Sequence, residues 1–382
     1  MTARRVIWQL HGGFVLAGMA TTLLGPLLPL VAAQWAMTDR DAGTLFTAQF
    51  TGALAATSGA ALIAGRIGRA RALAAGFALL ASGIGVLGVA SRPVGLAAAL
   101  VYGLGLGLVL PLTNIAVAAL YPARAASALS LVNVSWGAGA VLWPLVVRGV
   151  AAPGNPAPAT AALALCCAVF SLLWALAPRP AAGEVAVPPA ASGLPPMTGV
   201  PTRVVLAYGA IVALYVGAET SIGGWVAEFA RRMGASQGTW ALAPTAFWGA
   251  QTTGRLLAPL LLMRVSELML LRTSVVLAGA VVLLMATGSA GPRTIVATAG
   301  LAGLGLAAIF PLLWAGITRD VAPYRSAVLG PLFASGGVGG AVVPWLVGAV
   351  SDAGAGLAAA LLVPLAALVI VLALLPVAWR KS

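Results

Sequence analysis

A chain of 382 residues that is 61% hydrophobic and only 8% charged, with a mean hydropathy of +1.04, is not a soluble globular protein; such proteins carry about 25% charged residues. The net charge of +13 does not indicate nucleic-acid binding, because the arginines lie scattered at the ends of apolar runs and form no patch. Cys166 and Cys167 are adjacent within one such run; helix neighbours cannot easily bridge, so they read as small core residues without a redox role.

The apolar runs recur along nearly the whole chain, and each is long enough to cross about 30 Å of hydrocarbon as a helix. Their continuity excludes a transmembrane barrel, whose strands alternate over about 10 residues. The predicted fold is therefore an all-α polytopic membrane protein. Its spans fall near 6–33, 43–65, 72–91, 95–121, 127–149, 157–178, 203–230, 239–263, 269–289, 293–318, 326–350 and 354–378. The first run follows Arg4 and Arg5 as a signal peptide would. It is too long for one and holds Gly25, Pro26 and Pro29, so it reads as the first retained helix. The stretch from Pro178 to Pro201 is rich in Pro, Gly and Ala and lacks helical periodicity, which marks a flexible linker. The expected organisation is a six-helix bundle over 1–178, a cytoplasmic linker over 179–202 and a second six-helix bundle over 203–382.

Orientation follows from the basic residues. Of the 21, Arg255 falls inside a span, and Arg40, Arg92, Arg148, Arg231, Arg232 and Arg293 fall on one face. The rest fall on the other, which places both termini and the linker in the cytoplasm of a multi-pass plasma (inner) membrane protein.

The halves repeat. GLGLGLVLP from Gly103 to Pro111 is echoed by GLGLAAIFP from Gly303 to Pro311. At the same offset Gly137, Gly139 and Pro144 match Gly337, Gly339 and Pro344. A weaker match pairs Phe50 and Gly52 with Phe247 and Gly249. Two such halves resemble the major facilitator superfamily, whose members carry six-helix repeats related by an axis along the membrane normal. GRIGRAR, from Gly65 to Arg71, resembles that superfamily's loop signature, with Gly65 where the signature has Asp; Arg66 and Arg69 are its gating candidates. The bland alternative is plain topogenic arginines. The second-half loop (Arg264, Glu267, Arg272) is more degraded.

A tighter resemblance is to the fucose–galactose–glucose:proton symporter branch. It rests on Tyr215 to Gly224, on Asn114 with Ala126 to Leu129 and Gly139 to Pro144, on Gly336 to Pro344, and on Gly254–Arg255. The resemblance implies transport of a monosaccharide or similar polar solute by rocking of two halves. That branch's symporters carry coupling acids four residues before the first-helix Pro and four before the fourth-helix Asn. Here those positions are Gly25 and Leu110. A proton has no usual seat, so the expectation is a uniporter or a carrier not coupled to protons.

Glu219 lies deep in the apolar run 214–233, while the other seven acidic residues fall in loops or at segment ends. An intramembrane carboxylate is expensive unless it faces protein or water. It reads either as a substrate or coupling group, or as a packing acid paired with Arg255 across the bundle. His11, the single histidine, reads as a proton carrier or as a hydrogen-bonded core residue. Further cavity candidates are Gln49, Asn114, Asn133, Trp136, Tyr215, Trp225, Trp248, Gln251 and Trp314, since sugars need amides for hydroxyl pairs and an aromatic face for C–H surface. Polar helix-packing glue is the alternative for each. Trp8, Trp35, Trp345 and Trp379 lie near span ends and read as interfacial belt residues.

No catalytic constellation, metal cluster or nucleotide loop is visible, so neither an enzyme nor a cofactor is expected. The expected partners are the bilayer and a small-molecule substrate, taken up by a monomer with no nucleic acid. The alternative reading is a drug or hydrophobic-solute exporter, a proton antiporter using Glu219.

Overall fold

The computed structural model describes residues 3–151, 154–177, 201–289, 291–321 and 328–379. Nearly all of the predicted linker lies outside them. The helices are α1 (Ala3–Thr21), α2 (Leu24–Gln34), α3 (Asp39–Ile67), α4 (Arg69–Leu87), α5 (Arg92–Leu120), α6 (Ala125–Val150), α7 (Ala157–Ala175) and α8 (Thr202–Arg232). After a short α9 (Gln237–Trp240) come α10 (Leu242–Leu262), α11 (Glu267–Ala286), α12 (Ile295–Leu306), α13 (Ile309–Asp320), α14 (Leu329–Val350), α15 (Gly356–Ala360) and α16 (Leu362–Ala378). In hydrocarbon each backbone N–H and C=O must be satisfied within its own segment, which is why apolar sequence of this length folds as helix.

Every predicted span coincides with a helix. Among the described residues, nine helical stretches are long and apolar enough to cross a membrane. The pair α1 and α2, bent by 43°, makes a tenth span. The bend has a local cause. Thr21 and Thr22 turn their hydroxyls back onto the carbonyls of Ala17 and Gly18, and Pro26 sits in the first turn of α2, where no helical N–H is lost. The two remaining expected spans correspond to α10, which carries Gln251 and Arg255, and to α16, which has 17 residues.

Contacts divide the chain into two compact units. Unit 1 comprises Met1–Met37 with Thr44–Pro189, and unit 2 comprises Thr38–Gly43 with Ala190–Ser382. The repeated glycines do the same work in each. A Cβ on Gly103 of α5 would overlap the carbonyl oxygen of Gln49 on α3, and one on Gly303 of α12 would overlap that of Phe247 on α10. Gly139 of α6 sits against the Val15 carbonyl of α1, and Gly339 of α14 against the Ala213 carbonyl of α8. Close backbone approach replaces the hydrophobic driving force that lipid does not supply.

Residues 38–43 pack within unit 2. The Asp352 carboxylate accepts the N–H groups of Asp39 and Arg40, each at 2.9 Å, and so caps the first turn of α3 from 312 to 313 residues away. Of the tryptophans read as a belt, Trp8 is 67% exposed. Trp35 instead donates its indole N–H to the Ala90 carbonyl, and Trp379 is buried under the guanidinium of Arg319. Cys167 is buried as expected, but Cys166 is exposed, because neighbours on a helix point about 100° apart.

Candidate functional site

The polar interior of unit 2 is built on α8 and α10. Glu219 sits midway along α8, and one of its oxygens, Oε1, takes three donors. They are the Tyr215 hydroxyl one turn earlier, the Gln251 side-chain amide, and Nη2 of Arg255 at 2.9 Å. Gln251 and Arg255 are one turn apart on α10, so both face α8 by helical period. The Glu219 side chain is 13% exposed and that of Arg255 28%. The sequence-predicted residues Glu219, Gln251 and Arg255 are thus brought together, with Tyr215 completing the group.

An aromatic row continues from it. Tyr215 lies 6.1 Å from Phe310, Phe310 lies 6.1 Å from Trp314, and Trp314 lies 5.7 Å from Phe333, measured between ring centres. Gln251 is fully buried, and its Oε1 has no hydrogen-bond partner; the buried Nε1 of Trp314 has none either. Phe310 and Phe333 were not legible as site residues, since an aromatic in an apolar run has no signal until its neighbours are known.

The other candidates in unit 2 pack differently. Trp225 is completely buried and donates to the Pro344 carbonyl at 3.1 Å, which makes it a joint between α8 and α14. Trp248 is buried edge-on against Phe247.

In unit 1, both polar atoms of the Gln49 amide have a partner. It donates to the Thr21 carbonyl at 3.1 Å and accepts the Tyr102 hydroxyl at 2.9 Å, as helix-to-helix glue does. Trp136 donates to the Thr21 hydroxyl at 3.3 Å. His11 and the Ser135 hydroxyl share a hydrogen bond of 2.8 Å. Asn114 and Asn133 each turn their NH₂ onto a carbonyl of their own helix, Leu110 and Leu129. The Oδ1 of Asn114 is buried without a partner, whereas Asn133 is exposed. Arg66 is exposed and Arg69 half-buried, and neither has an acidic partner among the described residues.

A second buried carboxylate was missed. Glu228, read as a segment-end residue, is less exposed than Glu219, with 2% of its side chain accessible. Arg231 and Arg232, read as topogenic surface charges, fold back on it at 2.6 and 2.7 Å. Arg232 also reaches Asp39 in a bidentate pair, and the Ser351 hydroxyl donates to Asp39 as well. Sequence distance hid this cluster, because Asp39 and Arg232 are 193 residues apart. The second-half loop also holds more than its sequence suggested. Arg319 pairs with Glu267 at 2.6 Å and with Asp320 at 2.9 Å, and Asp320 accepts the Tyr208 hydroxyl.

The sequence profile of the Major Facilitator Superfamily matches residues 10–330. The chain belongs to that superfamily. It is a multi-pass membrane transporter and not an enzyme. The fold is shared with the fucose:proton symporter FucP of E. coli (18% identity, 98% of each chain, TM-score 0.61). It is shared also with the nucleoside transporter NupG (14% identity, 98% of this chain and 100% of the other, TM-score 0.79). The xylose transporter XylE of E. coli matches at 12% identity over 97% of this chain and 96% of its own, with a TM-score of 0.71. At these identities the likeness is one of fold. A comparison with curated protein sequences gives no significant match. Among the described residues no group of His, Cys, Asp and Glu is arranged to hold a metal ion.

Proposed function

We propose that this transporter moves a monosaccharide or a similar small polar solute by alternating access, as a uniporter or a carrier not coupled to protons. The observation that carries the coupling half is the commitment of Glu219. Its charge is balanced by Arg255, and its oxygen already takes Tyr215 and Gln251. A carboxylate so paired gives up a salt bridge each time it takes a proton. The positions where the related symporters carry coupling acids are Gly25 and Leu110.

Support for the substrate half comes from unmatched polar atoms beside aromatic rings. In unit 2, Oε1 of Gln251 is a buried acceptor and Nε1 of Trp314 a buried donor. Hydroxyls of a sugar both donate and accept, and the row from Tyr215 to Phe333 offers ring faces for its C–H surface. Solved structures of the same fold include a fucose symporter, a xylose transporter and a nucleoside transporter, all of whose solutes carry a sugar ring.

In the same reading residues 1–178 and 203–382 are the two moving bundles, joined by a linker over 179–202, in a monomer with both termini in the cytoplasm. The test is counterflow in proteoliposomes with a panel of monosaccharides at several pH values and sodium levels. Exchange of at least one sugar, unaffected by either variable, is expected; no exchange across the panel sinks the sugar reading.

One observation favours a second reading. The row of four aromatic side chains also suits a flat lipophilic cation. Export of such cations, weakened in Glu219→Gln, would replace the sugar carrier with a drug exporter.

A further inference from the structure

One end of unit 1 gathers arginines that have no counter-charge among the described residues. The register of its helices brings them together. Gln49 packs on Gly103 and Ala53 on Gly107, so α3 and α5 run in the same direction, and this register carried onward places Arg66 level with Leu120, at the end of α5 that Arg124 follows. Helix α4 runs the other way against α5, with Gly83 at Tyr102 and Gly76 at Leu108, so its first residue, Arg69, lies at the same end. Among the described residues, the side chains of Arg66, Arg69, Arg71 and Arg124 make no hydrogen bond or ion pair, and every described acidic residue belongs to unit 2.

The local electrostatics are worse than the count implies. Arg69 and Arg71 stand in the first turn of α4, behind Gly68, which supplies no capping side chain. That turn exposes the helix's unpaired N–H groups and the positive end of its dipole, where an acid is favoured and a base is not. The repeated helix in unit 2 is built conventionally. There α11 begins with Glu267 behind a Ser266 cap, and Glu267 neutralises Arg319. Two further observations point to a ligand at the unit 1 end. Nε of Arg69 is buried with no partner. Gly65, one turn before, opens onto space, since a Cβ there would meet nothing within 4 Å. Exposed apolar side chains flank the cluster: Leu62, Ile67, Leu120 and Tyr121.

We propose that the phosphate of an anionic phospholipid headgroup supplies the missing counter-charge, seated at the first turn of α4 among Arg66, Arg69, Arg71 and Arg124. Guanidinium forks and free helix N–H groups are the chemistry that binds phosphate. The exposed apolar rim selects a lipid over a soluble anion, because it gives the acyl chains a surface to lie on. The proposal is independent of which solute is carried, and its test needs no transport measurement.

Thermal unfolding of the purified full chain in detergent is followed with added phosphatidylglycerol, with phosphatidylcholine of the same acyl chains, or with inorganic phosphate. Phosphatidylglycerol is expected to raise the midpoint by about 3 °C or more, with little effect from the other two. Arg66→Gln/Arg69→Gln/Arg71→Gln abolishes that rise, whereas Arg203→Gln/Arg264→Gln/Arg272→Gln, which removes as much charge from unit 2, keeps it. Gly65→Asp places an internal anion in the open space and shrinks the gain from phosphatidylglycerol. This variant carries the test should the triple variant fail to fold. Equal shifts with both lipids, an equal shift with inorganic phosphate, or a full phosphatidylglycerol effect in Gly65→Asp overturns the proposal.

Discussion

Arg255 on α10 and Glu219 on α8 form a salt bridge of 2.9 Å in the interior of unit 2, on the same carboxylate oxygen that Tyr215 and Gln251 reach. Removing one member of such a pair is worse than removing both, because the survivor is a charge in a low-dielectric interior. Arg255→Met is expected to lower stability by about 2–3 kcal/mol, below the value for a fully buried pair because the Arg255 side chain is 28% exposed. Glu219→Gln/Arg255→Met keeps an amide for Tyr215 and Gln251 and recovers part of that loss. Thermal unfolding of the three proteins decides it; a double variant no more stable than Arg255→Met removes the pair from the account.

The same pairing predicts how transport responds to pH. With Glu219 held by Arg255 and no proton carried with the solute, sugar counterflow should be flat between about pH 6 and pH 8. A His11→Gln variant should share that profile. A steep rise toward acid that disappears in Glu219→Gln would show that the carboxylate exchanges its partners for a proton during the cycle.

At the other buried carboxylate, Glu228 depends on two arginines, of which Arg232 also holds Asp39. Arg232→Gln is expected to destabilise by about 2–4 kcal/mol, since it removes the arginine partner of Asp39, whose side chain is 10% exposed, and one of the two arginines on Glu228, whose side chain is 2% exposed. Asp352→Ala removes only the cap on the first turn of α3, a change of about 1 kcal/mol. Melting curves that reverse this order contradict the assignment of roles.

The repeated glycines make a paired prediction. Gly103→Ala and Gly303→Ala each push a methyl into a facing carbonyl and should destabilise by about 1–3 kcal/mol. Gly65→Ala, with open space around it, should be neutral or stabilising by up to about 1 kcal/mol. Comparable gains at all three sites would mean that helix propensity outweighs close packing at Gly103 and Gly303.

Much of this was legible in sequence because the bilayer restricts what a chain can do. A run of about 20 apolar residues in hydrocarbon has one backbone solution. So the helices and the repeat at Gly103 and Gly303 followed from spacing, and the superfamily from the resemblance that the two halves and the loop at Gly65 to Arg71 carry. The Glu219–Arg255 pair was also within reach, since each is the charged exception inside its own apolar run.

Tertiary structure decided what periodicity does not encode. Whether Gln49 is glue or a free binding amide depended on the Tyr102 hydroxyl and the Thr21 carbonyl lying within reach. That Glu228 is buried depended on Arg231 and Arg232 turning inward, although as residues at a helix end they read as solvated charge. The Asp39–Arg232 cluster needed residues 38–43, which pack within unit 2, to meet α8 across 193 residues. Membership of a helix is a local property of the chain, set by hydrophobicity and backbone hydrogen bonding. The partner of a polar side chain is not local, because it is set by whichever helix packs beside it.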